Sequence, residues 1–224
     1  MLLHLPAYIS IVFILTVILT LWFLWKASSS KTAVIVALLW LAIQGVLSYS
    51  GFYLNSSGAL PRIALAVLPP LVLIILVLVT KKGKKFTRRL DLRTLHLLHI
   101  VRIPVELCLY WLYLRKAVPE LMTFAGNNFD IITGITAIIL YVTCFKGRRV
   151  RSVNLLFGWN ILGLVMLGSI VVNGILSVPT VFQQHAFDQP NIAILYFPFV
   201  WLPCFIVMIV LFSHLVMMKR LMEP

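Results

Sequence analysis

Apolar runs of about 18 residues or more recur along the whole 224-residue chain, separated by short loops rich in Lys and Arg. A helical run of that length spans the ~30 Å hydrocarbon core of a bilayer. With 62% hydrophobic and only 11% charged residues, the chain lacks the charge to cover a soluble surface of its size. The pattern predicts an all-α polytopic membrane protein forming a single domain over 1–224, with the lipid bilayer as its surroundings. Seven spans are expected, at 5–25, 33–53, 61–80, 92–114, 129–145, 153–176 and 192–218, with a turn at 55–58 between the second and third. The first run is read as a span and not as a cleavable signal, because no basic segment precedes it and it is too long for one.

A formal charge of +13 raises the question of nucleic acid, but the placement of the charges answers it. In alternate loops, Lys26 and Lys31, seven basic residues within 81–93, four within 146–151, and Lys219 with Arg220 fall on one side. Only Arg62, Arg115 and Lys116 fall on the other. This is the positive-inside pattern, so no nucleic-acid partner is expected, the N-terminus is placed outside and the C-terminus in the cytoplasm. The two basic stretches 79–85 and 142–149 resemble each other, which the shared positive-inside constraint explains as well as a duplication would. Cys108, Cys144 and Cys204 are single thiols in apolar runs and are read as small buried hydrophobes.

The fourth span departs from the rest. On a helix, His99, Arg102, Glu106, Tyr110 and Tyr113 fall within an arc of roughly 80°, with His96 just beside it. Its twelve Leu, Ile and Val residues favour insertion by on the order of −6 kcal/mol, at about −0.5 each. Arg102 and Glu106 oppose this by roughly +5 to +7 kcal/mol, so the helix is marginal alone and its polar face is expected to turn into the bundle. Arg102 lies near mid-membrane, and i,i+4 spacing leads to an expected pairing with Glu106. Asn127 or Asn128 is a candidate N-cap for the fifth span. Asp130, Thr133, Ala137 and Tyr141 share a face that can oppose the fourth span. Pro198 and Pro203 are expected to bend the seventh span, while Gln44, Ser48, Ser169, Asn173 and Ser177 read as interhelical hydrogen-bond glue.

The seventh span has no lysine for a retinal Schiff base, and no phosphate-loop, zincin or hydrolase-elbow motif occurs. No cofactor is expected. A metal or haem site, were there one, would draw on His96, His99 and His214, with Asp91 as the carboxylate on that side. Residues Arg102-Ile103-Pro104-Val105-Glu106, followed by Met122-Thr123-Phe124-Ala125-Gly126-Asn127-Asn128-Phe129-Asp130, resemble a pattern in uncharacterised multi-pass bacterial inner-membrane proteins. The resemblance implies an inner-membrane location and joins the fourth span and its following loop into one unit; it implies no activity. The expected function is handling of a small solute or proton at a polar site of His99, Arg102, Glu106, Tyr110, Asn127 and Asp130. There Glu106 is the protonatable group, His99 its proton partner, and Asn127 and Asp130 shape the outer entrance. The alternatives are a metal-dependent membrane enzyme using the histidines and Glu106, and a non-catalytic assembly or sensor protein in which the buried charges are architecture.

Overall fold

The computed structural model describes residues 5–55, 61–147 and 149–223. Most of the turn expected at 55–58, namely residues 56–58, and Arg148 lie outside them. The helices α1 (Ala7–Ser28) and α2 (Lys31–Tyr49) are joined by Ser29, in the left-handed conformation, and Ser30, whose Oγ accepts the Ala33 N–H and caps α2. A glycine at φ 77°, Gly51, then turns the chain into a 3₁₀ turn at Phe52–Leu54.

The helix α3 (Ala64–Val79) bends by 88° at Thr80 into α4 (Lys81–Arg89). The Thr80 hydroxyl accepts the Gly83 N–H at 3.2 Å and starts the second helix. Next come α5 (Leu92–Leu97), capped by Asp91, a 3₁₀ turn at Leu98–Val101 and α6 (Arg102–Leu114), which together make one rod over Leu92–Leu114. The tightened turn falls just before Pro104, which has no N–H to give the preceding carbonyls. The helix α7 (Asp130–Thr143) leads to a hairpin of β1 (Phe145–Lys146) and β2 (Arg149–Val150), and then to α8 (Val153–Leu176). A π-helical turn at Leu202–Ile206 runs into α9 (Val207–Met222).

Among the described residues, five helices are long and apolar enough to cross a membrane: Ala7–Ser28, Lys31–Tyr49, Leu92–Leu114, Val153–Leu176 and Leu202–Met222. The bent pair α3–α4 makes a sixth if taken as one span, and the 14-residue α7 is apolar but shorter. Length and apolarity thus mark five to six spans where seven are expected. The fourth and sixth expected limits, 92–114 and 153–176, coincide with the helices. The seventh does not. Its helix starts ten residues later than residue 192, after an irregular segment holding a 3₁₀ turn at Ala193–Leu195, so Pro198 precedes the helix instead of bending it. Pro203 sits inside the π turn, where the regular hydrogen-bond ladder is already interrupted.

The resembling stretches 79–85 and 142–149 fold differently, one as the corner into α4 and the other as a hairpin, so no structural repeat links them. Apolar side chains such as Leu39, Val46, Ile139, Val165 and Val172 face outward from the bundle. An exterior of that kind is what lipid, not water, covers. The three cysteines are free and buried, as expected.

Candidate functional site

Of the expected polar face of the 92–114 rod, His99, Arg102 and Glu106 turn inward, while Tyr110 and Tyr113 are only half-buried. Arg102, Val105, Glu106, Cys108, Leu109 and Leu112 form the buried stripe of α6. Gly134 on α7 lets α7 lie close against it, since a Cβ there would sit 2.9 Å from Ile103 Cγ1 and 3.3 Å from Arg102 Cβ. Arg102 therefore reaches across to its neighbours. Its Nη1 lies 3.5 Å from Asp130 Oδ1 and donates to the Thr133 hydroxyl, and its Nη2 donates to Gly163 O of α8 at 3.3 Å.

This corrects the expected Arg102–Glu106 pair. Helical side chains tilt toward the N-terminus, so the guanidinium, one turn before Glu106, is carried away from it and toward α7 and α8. There it finds three partners at once. Glu106 is held instead by Asn128, whose Nδ2 donates to Glu106 Oε1 at 2.6 Å and to Met122 O at 3.1 Å. The same side chain accepts the Asp130 N–H on Oδ1 at 3.0 Å.

Asn128 is delivered by a compact turn over 122–128. Thr123 O accepts both the Gly126 and Asn128 N–H groups, and a Cβ on Gly126 would lie 2.4 Å from Glu120 O. The Met122–Asp130 part of the resemblance thus encodes a clip that ties the loop to α6. Neither asparagine is the N-cap, which is Phe129 and makes no side-chain cap bond. Asn128 is buried one residue earlier and bonds to the Asp130 N–H, while Asn127 is exposed beside Tyr113, Glu120, Asp188 and Gln189 in a surface depression. Tyr110 stacks on Phe124 at 4.8 Å between ring centroids and belongs to the clip. The shared face of α7 behaves as expected, with Asp130 and Thr133 on Arg102, Ala137 O on His96, and Tyr141 under the Arg93 guanidinium at 4.2 Å.

His96, His99 and His214 form a second buried layer around Trp159. The His99 and His214 ring centroids are 4.1 Å apart, and those of His96 and Trp159 4.6 Å. Each imidazole is anchored through one N–H. His96 Nε2 donates to Ala137 O at 3.0 Å. His99 Nε2 donates to Ser213 Oγ at 3.1 Å, since that hydroxyl gives its own proton to Leu95 O. His214 Nδ1 donates to Asn160 Oδ1 at 2.8 Å, the amide being fixed by its bond to Leu156 O. The other nitrogens, His96 Nδ1, His99 Nδ1 and His214 Nε2, are buried without partners. Among the described residues, no group of three or more His, Cys, Asp or Glu side chains is arranged to hold a metal ion.

Sequence reasoning does not reach Trp159, Asn160, Gly163 or Ser213. Gly163 carried a readable signal, a small residue in an apolar helix. A Cβ there would meet His214 Cε1 at 2.4 Å, so only glycine lets the imidazole and the Arg102 bond share that spot.

Beside Glu106 and Asp130 lies a cavity of about 270 Å³, walled by residues of α3, α6, α8 and the π turn, among them Val67, Leu109, Ile170 and Leu202. Its lining is almost wholly apolar; Glu106, Asp130 and Asn191 are buried polar exceptions. Glu106 Oε2 and Asn191 Oδ1 have no partner, and Asp130 Oδ1 makes no hydrogen bond beyond its ion pair with Arg102. The structure therefore joins Arg102, Glu106 and Asp130 of the expected site, places His99 in the adjoining layer, and leaves Tyr110 and Asn127 outside the charged cluster.

Several long apolar helices around a buried ionisable cluster fit an integral membrane protein, defined by a polar centre inside an apolar bundle. A family profile described as a domain of unknown function, DUF8737, matches residues 59–222, and the chain belongs to that family. The match takes in the whole site, from α3 to α9. No curated protein and no solved structure matches the chain.

Proposed function

We propose that this protein handles protons or a small solute across a bacterial inner membrane, with the cavity beside Glu106 and Asp130 as its working site. The observation that carries the reading is the charge imbalance beside that cavity: two buried carboxylates, Glu106 and Asp130, stand against one guanidinium, Arg102, which pairs with Asp130. An intramembrane charge is costly unless used or neutralised, and here a proton or a cation completes the balance. Asn128 occupies one oxygen of Glu106 and leaves Oε2 free toward that role. The histidine layer continues the line of proton acceptors away from the cavity, through His214 Nε2, His99 Nδ1 and His96 Nδ1.

In this reading the chain crosses the membrane seven times, with its N-terminus outside. The 14-residue α7 and the bent α3 supply the two crossings that length alone does not mark. The charge distribution of the loops supports the orientation. Proteoliposomes loaded with a pH-sensitive dye and given an inward proton gradient test the function. Wild-type vesicles are expected to acidify faster than Glu106→Gln or Asp130→Asn vesicles of equal protein content. Equal rates in all three would overturn the reading.

A further inference from the structure

We propose that the cavity is a binding site for a small organic ammonium ion, a primary amine carrying an apolar body, and that this cation and a proton on Glu106 exclude each other. The inference rests on the proton-and-solute reading above and names its solute class. Three features of the cavity select that chemistry. Its buried polar atoms that lack a hydrogen bond are all acceptors: Glu106 Oε2 and Asn191 Oδ1 have no partner, and Asp130 Oδ1 has only the Arg102 guanidinium at 3.5 Å, while an ammonium group offers three donors and no acceptor. All three side chains are at least nine-tenths buried, with exposures of 2%, 5% and 0%. Buried acceptors of this kind reject a ligand that cannot donate to them.

The second feature is charge. Arg102, the cation of the cluster, is absent from the residues that line the cavity, and its Nη1 and Nη2 are committed to Asp130, Thr133 and Gly163. The surface that a ligand meets is therefore carboxylate and amide, which disfavours an anion. The third is the wall. Val67, Val105, Leu109, Ile170, Val171 and Leu202 enclose an apolar volume of about 270 Å³, near the low end of small-molecule sites. An amine with one ring or a short branched chain suits that space.

Competition with a proton follows from the same charge count. With both carboxylates ionised the cluster carries one net negative charge, which either an ammonium ion or a proton on Glu106 cancels. The charged and titratable groups around Glu106 are Arg102 on its own helix, Asp130 from α7, and His99 and His214 in the layer beyond Arg102. Cys108, on α6 itself, is turned to Ile9 O of α1, and Glu120, in the loop that follows, is exposed. The helices α3 and α8, which close the cavity, hold no titratable residue in their whole lengths. Binding of the cation should thus expel one proton, and affinity should rise with pH by about tenfold per unit while Glu106 is protonated.

Calorimetric titration of the purified protein with 2-phenylethylammonium, 2-phenylethanol and 2-phenylacetate, from pH 5 to 9 in two buffers of different ionisation enthalpy, tests the proposal. The ammonium ion is expected to bind at least tenfold tighter than the alcohol or the carboxylate, tightening with pH and releasing one proton. Glu106→Gln should remove the pH dependence. Val171→Phe, which fills the cavity and leaves the charges in place, should weaken binding at least tenfold. Equal affinity for the alcohol, pH-independent binding, or undiminished binding by Val171→Phe would overturn it. If proton flux depends on Glu106 while the ammonium ion fails to bind, this inference falls and the function proposed above stands. If the ion binds with proton release while flux ignores Glu106, transport falls and the binding site stands.

Discussion

Arg102 illustrates how far single residues can be read. An arginine and a glutamate in the middle of an apolar run are visible in one sequence, because the cost of placing them in lipid demands an interior position. Their partners are not, since a helix face fixes direction but not which neighbour stands opposite. The i,i+4 rule offered Glu106, and tertiary packing at Gly134 supplied Asp130. The consequence is a changed order of mutational sensitivity. Asp130→Asn removes the charge that faces Arg102 and is expected to destabilise the protein by about 3–5 kcal/mol, toward the lower end because Thr133 and Gly163 O still bind the guanidinium. Arg102→Met combined with Asp130→Leu should recover much of the loss. Glu106→Gln should cost less than Asp130→Asn, because it does not touch that pair. Unfolding in mixed micelles, followed by circular dichroism, measures all three. A larger loss for Glu106→Gln than for Asp130→Asn would restore the i,i+4 pair.

At the scale of elements, runs of apolar residues located α1, the 92–114 rod and α8 closely, because uninterrupted hydrophobicity and helix length are the same quantity in a membrane. Hydropathy misplaced the start of the last helix because the segment from 192 to 201 is as apolar as a span but contains Pro198, and burial against the core, not helicity, is what its apolar residues serve. Nor did it show the 88° corner between α3 and α4, which depends on a contact. At Gly83 a Cβ would lie 2.1 Å from Val77 O and 2.6 Å from Val77 Cα, so any other residue forces the corner open. Past the corner, the basic side chains of α4 are exposed while Gly83 and Thr87 are buried, an arrangement suited to a helix lying along a charged membrane surface. Gly83→Ala should therefore cost stability, by about 1–3 kcal/mol. Gly158→Ala in α8, where nothing lies within 4 Å of the added Cβ, should be neutral or gain up to about 1 kcal/mol from helix propensity. Thermal unfolding of the two variants side by side decides whether the corner requires glycine. Equal melting temperatures would show that the chain relaxes around it.

For the whole molecule, the number of crossings and the positions of the two ends are linked by parity, and α7 is where the count turns. Fourteen residues at 1.5 Å rise give about 21 Å, short of the ~30 Å hydrocarbon thickness. Its buried face is nevertheless committed to Arg102 and His96, which places it as deep as the 92–114 rod. A helix so placed crosses if the bilayer thins locally or if the hairpin 145–150 and the clip at 122–128 complete the passage. Three single cysteines resolve the count, since Cys108, Cys144 and Cys204 are buried and give little background. Asn127→Cys, Lys85→Cys and Met222→Cys all fall at exposed positions. In intact spheroplasts a membrane-impermeant maleimide is expected to label the cysteine at 127 and to spare those at 85 and 222, which react only after lysis. One crossing separates 85 from 127, and α7, α8 and α9 separate 127 from 222. Labelling at 222 in intact spheroplasts, with 127 labelled and 85 protected, would mean that α7 enters and leaves on one side, giving an even number of passages after the clip. The Arg102–Asp130 pair would then be held by a re-entrant helix, opening the cavity to the same side as the clip.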